Sequence, residues 1–124
     1  MYATPNNLGY IYVINIDNSN YYKIGQTSCK QYIKQRVSCF QSKCAWEATL
    51  VAQAETYYPV EVEREIHREF ATCKIVLPDI SSRELFQLTM NEIAELKVSI
   101  APDRMFARSL KYIKRDKIND ILAA

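Results

Sequence analysis

Gly9-Tyr-Ile-Tyr-Val-Ile-Asn-Ile16 is followed across Asp17-Asn-Ser-Asn20 by Tyr21-Tyr-Lys-Ile-Gly25. Aromatic and β-branched side chains fill both runs, as a pleated and largely buried surface requires. The four residues between them are turn formers, so the runs read as the two arms of a hairpin. Downstream, Ser28-x-x-Gln31 has capping-box spacing. Ile33, Val37 and Phe40 then recur at helical intervals, predicting a helix from about Cys29 to Phe40. Ala45–Ala54 predicts a third strand.

Pro59 suits the first turn of a second helix, whose buried face is Val62, Ile66, Phe70 and Cys73. Lys74–Ser82 reads as a loop and Glu84–Leu88 as a short extended piece. Thr89-x-x-Glu92 caps a third helix with Met90, Ile93 and Leu96 inward, and a last helix runs from Pro102 to about Leu122. The order predicts one α/β (α+β) domain with a small, mostly antiparallel sheet.

A length of 124 residues suits a single core, and 48% hydrophobic against 24% charged residues is too apolar for a disordered chain. Only two residues are glycine, Gly9 and Gly25, where average usage gives roughly nine. Both flank the hairpin, where a missing side chain lets backbone turn sharply or a substrate approach closely.

Met1–Asn7 has no basic or apolar signal-peptide region, and the longest apolar run is about five residues against the roughly 20 a bilayer needs. An intracellular, reducing location with no membrane partner is the expectation. Cys29, Cys39, Cys44 and Cys73 contain no CxxC pair, and with His67 they fit no common zinc spacing, so they read as buried thiols.

Charge is uneven although the net value is only +2. Residues 1–58 carry five Lys/Arg against three Asp/Glu, residues 59–100 five against eight, and residues 101–124 six against three. On the second helix, Glu61, Arg64, Glu65, Arg68 and Glu69 fall opposite the apolar stripe, where solvated charges belong. Glu63 and His67 sit one turn apart at the stripe's edge. On pattern alone they read first as an intrahelical pair, with groups that line a cleft, hold a cation or accept a proton as the alternative.

Arg36 has the same marginal place on the first helix, fit either to cover the core edge or to clamp a phosphate. Tyr12, Tyr22 and Lys23 lie on the hairpin, where packing alone would account for them. In the last helix, Arg104, Arg108, Lys111 and Arg115 fall within about 60° on the helical wheel, opposite Phe106, Leu110 and Ile113. They form a cationic ridge that suits either solvent or a DNA backbone.

Several of these pieces, taken in order, resemble the GIY-YIG nuclease superfamily. They are Tyr10-Ile11-Tyr12 in GYIYVI, Lys23-Ile24-Gly25 in YYKIG, Arg36, Glu63-Arg-Glu-Ile-His67-Arg-Glu-Phe70 and Glu84-Leu85-Phe86. K-I-G as the second motif resembles a small branch known by a phage open reading frame and by the label "meiotically up-regulated gene". Tyr10 stands where the first motif has glycine, and Leu85 where the last has an aromatic residue. The resemblance covers residues 9 to about 96.

The resemblance implies a three-stranded antiparallel sheet flanked by helices, with residues 1–100 as the nuclease-like domain. Residues 101–124 are then a basic amphipathic helix packed on it. It further implies a metal-dependent DNA endonuclease or nickase, in which Glu63 holds one Mg²⁺ or Mn²⁺ ion and Tyr12 deprotonates or orients the attacking water. Arg36 neutralises the phosphate, Lys23 holds Tyr12 as a phenolate or touches the scissile phosphate, and His67 transfers a proton or binds phosphate. DNA is the implied partner, with sequence preference drawn from the basic helix, a homodimer or a targeting protein. A catalytically silent domain that binds nucleic acid or protein is the alternative.

Overall fold

In the computed structural model, which describes residues 8–28, 30–44, 47–78, 80, 82 and 84–123, the hairpin forms from Gly9–Ile16 (β1) and Tyr21–Thr27 (β2). Asp17 and Asn18 turn the chain with φ of 54° and 53°, a conformation that Asp and Asn tolerate better than most residues. The Ser19 N–H closes the turn onto the Ile16 carbonyl at 3.0 Å, and Asn15 Nδ2 donates to the Ser19 carbonyl at 2.8 Å.

Ala48–Thr56 (β3) pairs with the other edge of β1, and the register shifts between Val13 and Ile14. The expected three strands gain a fourth, because Leu85–Gln87 (β4) pairs antiparallel with Tyr21–Lys23. The strand order is β3-β1-β2-β4. The short extended piece joins the sheet because Leu85 and Phe86 are both fully buried, one in the core on each face.

Strand β1 has a neighbour on both edges and a layer on both faces, so all eight of its residues are buried. Ile11, Val13, Tyr22 and Ile24 face a layer built from Pro59–Glu69 (α2), Met90–Ser99 (α3) and Pro102–Ala123 (α4). Tyr10, Tyr12, Ile14 and Ile16 face Ile33 and Val37 of Lys30–Cys44 (α1), together with Ile75, Leu77 and Ile80. The Ser28-x-x-Gln31 box and Phe40 involve positions outside the described side chains. None of the described helices is long and apolar enough to cross a membrane.

Both glycines are fixed by close approach, and neither has a positive φ. A Cβ at Gly9 would stand 2.5 Å from Pro59 Cγ, and one at Gly25 would stand 2.5 Å from the Tyr12 hydroxyl. The groups that come close belong to the chain itself: Pro59 and the Thr27 carbonyl at Gly9, and the Tyr12 ring at Gly25.

Other sequence expectations are corrected at particular positions. Met90 is 81% exposed, because α3 buries a stripe centred on Ile93, Leu96 and Ile100 that lies roughly 80–90° away. Cys39 is exposed, and the half-buried Cys73 reaches the core from a 3₁₀ turn at Ala71–Cys73 that follows α2. The largest change concerns α4, which buries Met105, Ser109 and Asp116 and leaves Phe106 64% exposed. It is turned about one residue step, roughly 100°, from the expected stripe.

Polar contacts to α2 explain that rotation. Arg108, Lys111 and Arg115 form ion pairs with Glu61, Glu65 and Glu69, so the supposedly solvated face of α2 is where α4 docks. Arg104, the first residue of the ridge, is exposed.

Candidate active site

Tyr12 leaves the centre of β1 and lays its ring across Gly25 of the paired strand. Strand side chains alternate, so Lys23 shares the Gly25 face of β2. Its Nζ lies 5.8 Å from the Tyr12 ring centroid and 3.8 Å from Glu84 Oε2. Arg36 reaches the same place from the exposed side of α1, and its charge acts on the Tyr12 hydroxyl.

The second half of β2 explains why a glutamate and a histidine occur one turn apart on α2. Strand β4 pairs only with Tyr21–Lys23, and the Glu84 carbonyl accepts the Ile24 N–H at 3.0 Å. Beyond that point, among the described residues, no strand continues along this edge. Side chains of α2 take over: His67 Nε2 donates to the Ile24 carbonyl at 2.8 Å, and the Gln26 N–H acts on the Glu63 carboxylate, favouring its charged form.

The periods match. Four residues of helix rise about 6 Å, and two residues of strand about 6.7 Å. A Glu-x-x-x-His helix running antiparallel to a bare strand edge therefore meets successive outward-facing groups. The spacing that looked like a catalytic pair is also a substitute for a missing strand.

Burial, then the nearby Glu84 carboxylate, pushes Glu63 up to about 7, against the lowering pull of Lys23, Arg64 and the Gln26 N–H. Glu63 Oε2 is buried and has no hydrogen-bond partner. An orphaned carboxylate oxygen of this kind is costly unless something positive reaches it. A hard divalent cation suits it, since Mg²⁺ commonly takes one or two carboxylates and keeps several waters. Among the described residues no three His, Cys, Asp or Glu side chains gather into a metal cage, so water would complete such a shell.

Tyr12 is pushed up to about 12 by burial first, then by Glu84 and Glu63, with Arg36 opposing. Burial thus favours the phenol form of Tyr12. As a phenol it orients a water or a phosphate oxygen by hydrogen bonding. His67 Nε2 carries a proton and donates it to the Ile24 carbonyl, which makes Nδ1 the ring's other nitrogen. An edge-on contact with Phe86, at 5.0 Å between centroids, fixes its ring.

The structure thus groups Tyr12, Lys23, Arg36 and Glu63 by their mutual electrostatics, with His67 one turn further along the same edge. The α4 cations are grouped elsewhere, against the back of α2. Glu84, the first residue of the Glu84-Leu85-Phe86 motif, has a place here that the motif itself does not state. It touches Lys23 and acts on both Tyr12 and Glu63. Its place immediately before Leu85-Phe86 was the only signal.

Residues 9–101 match the model of a protein family described as the T5orf172 domain. No curated protein and no solved structure matches the chain.

Proposed function

The chain belongs to the T5orf172 domain family, phage-type domains related to the GIY-YIG-like nucleases, and from that premise we propose that it is a divalent-metal-dependent DNA endonuclease or nickase. One observation carries the reading. The buried, partnerless Oε2 of Glu63 lies within the electrostatic reach of Lys23, and Glu63 in turn acts on the Tyr12 hydroxyl. Hydrolysis of a phosphodiester needs a polarised water, charge relief on the phosphorane and help for the leaving oxygen.

Glu63 would hold one Mg²⁺ or Mn²⁺ ion, which supplies Lewis-acid stabilisation of phosphate charge when bound. Tyr12, held as a phenol over Gly25, donates to and orients the attacking water or a non-bridging oxygen. Lys23 and Arg36 supply fixed positive charge on the Tyr12 face, where the phosphate would gather charge. His67 holds the helix to the strand through Nε2, and in its neutral form presents Nδ1 as an acceptor. Glu84 keeps Lys23 directed at the cluster across 3.8 Å.

The test is cleavage of supercoiled plasmid DNA with Mg²⁺ or Mn²⁺ by the wild type and by Tyr12→Phe, Arg36→Ala and Glu63→Gln. The proposal expects nicked or linear product from the wild type, and a loss of about 10²-fold or more in each variant. No cleavage by the wild type, with DNA binding retained, would instead identify a binding module.

A further inference from the structure

Glu61, Glu65 and Glu69 stand one turn apart on the back of α2, a spacing at which like charges repel. Every one of them is met from α4. Arg115 Nη2 lies 3.2 Å from Glu61 Oε2. Arg108 Nη1 lies 3.0 Å from Glu65 Oε1, and Lys111 Nζ 2.6 Å from Glu65 Oε2. The Tyr112 hydroxyl also donates to Glu65.

Arg108 then forks onto Glu69 at 2.6 and 2.8 Å, and it donates to the Ser99 carbonyl at 3.3 Å and to the Ser99 hydroxyl. Tyr58, at the N-cap of α2, donates to Asp116 of α4 at 2.8 Å. As α2 is read forward the contacts run backward along α4, so the two helices zip together antiparallel. The centre of the zip is buried, with the Glu65 and Arg108 side chains only 7% and 12% exposed.

Helix α2 has 11 residues, a length at which a helix in isolation is marginal. Its rotation is therefore set by what grips it on each side. Glu63 and Glu65 are separated by about 200° around the axis, so one meets the open edge of β2 and the other meets α4. The α4 side of the zip lies outside the matched family region, since α4 begins at Pro102 and the match ends at residue 101.

We propose that α4 braces α2 from behind, and that Glu65 and Arg108 are positioning residues that hold Glu63 and His67 against the edge of β2. Only the catalytic part of this inference rests on the nuclease reading. The brace itself is a statement about the β2 edge, where His67 Nε2 donates to the Ile24 carbonyl and the Gln26 N–H acts on Glu63, on the far side of the helix from Arg108.

Amide hydrogen exchange and plasmid cleavage on wild type, Arg108→Ala and Arg108→Lys test it. In Arg108→Ala the protection of Gln26 is expected to fall by roughly tenfold or more while amides of β1 keep theirs. Arg108→Lys, which keeps the charge and loses the fork, recovers part of that protection. The cleavage rate follows the same order, falling by up to about 10²-fold with an unchanged KM for DNA, because small misplacements of reacting groups are expensive.

Unchanged Gln26 protection in Arg108→Ala overturns the proposal, and so does a loss shared equally by every amide of the sheet. If Arg108→Ala does not fold, Lys111→Ala makes the same comparison, with a smaller selective fall expected and the same two overturning results. If the wild type does not cut DNA the nuclease reading fails, while the exchange result still decides the brace.

Discussion

A methyl group at position 25 would stand 2.5 Å from the Tyr12 hydroxyl and 2.6 Å from Cζ, distances that real Cβ atoms do not tolerate. Gly25→Ala must therefore displace the ring or the strand, and about 1–3 kcal/mol of stability is expected to go, together with most of any cleavage. Urea denaturation and the plasmid assay read the two effects separately. At His67, truncation to Ala leaves the Ile24 carbonyl without its 2.8 Å donor. A loss of about 1–3 kcal/mol in urea denaturation is expected there, whatever happens to activity. The reason for glycine at position 25 was half legible in the sequence. Its position beside the motif was visible, but the identity of the approaching group depends on strand register, which pairs Tyr12 with Gly25.

Helix α2 shows where reading a wheel succeeds and stops. Its apolar stripe of Val62, Ile66 and Phe70 is buried as expected. Periodicity identifies a polar face, and it has no means of saying that a second helix with matching charges will cover that face. Glu65 is 6% exposed for that reason. Burial works to raise Glu65, but hydrogen bonds from Lys111, Tyr112 and Arg108 outweigh it and hold the carboxyl below its ordinary 4.5. Glu69 is lowered chiefly by Arg108. Groups lowered on folding stabilise the fold above the unfolded value, and that stability is lost as pH falls below about 4.5 through the folded values. Urea denaturation at pH 7 and at pH 3.5 is expected to show this loss in the wild type and a smaller one in Arg108→Ala. At pH 7 that variant is expected to be about 3 kcal/mol less stable, with Lys111 still facing Glu65.

At the scale of the whole molecule, the site exists because β4 is short. Had that strand run the full length of β2, the Ile24 carbonyl and Gln26 N–H would have bonded to backbone, and Glu63 and His67 would have had no edge to meet. The order of elements and the hairpin were legible from β-branched runs, turn residues and caps, since those are local preferences. The Thr89/Glu92 box, for example, forms with both of its hydrogen bonds. Where a strand stops pairing, and which helix closes the gap, are decided by packing between distant segments and left no local mark. The resulting layout sets Tyr12, Lys23 and Arg36 on the α1 face, with Glu63 and His67 at the adjoining edge and α4 behind them. Cleavage of supercoiled plasmid in Mg²⁺ or Mn²⁺ by the wild type beside Glu63→Ala is the decisive comparison. Conversion to nicked or linear DNA by the wild type, abolished in a Glu63→Ala protein that remains folded, is the predicted result; equal cleavage by both would contradict the role given to Glu63.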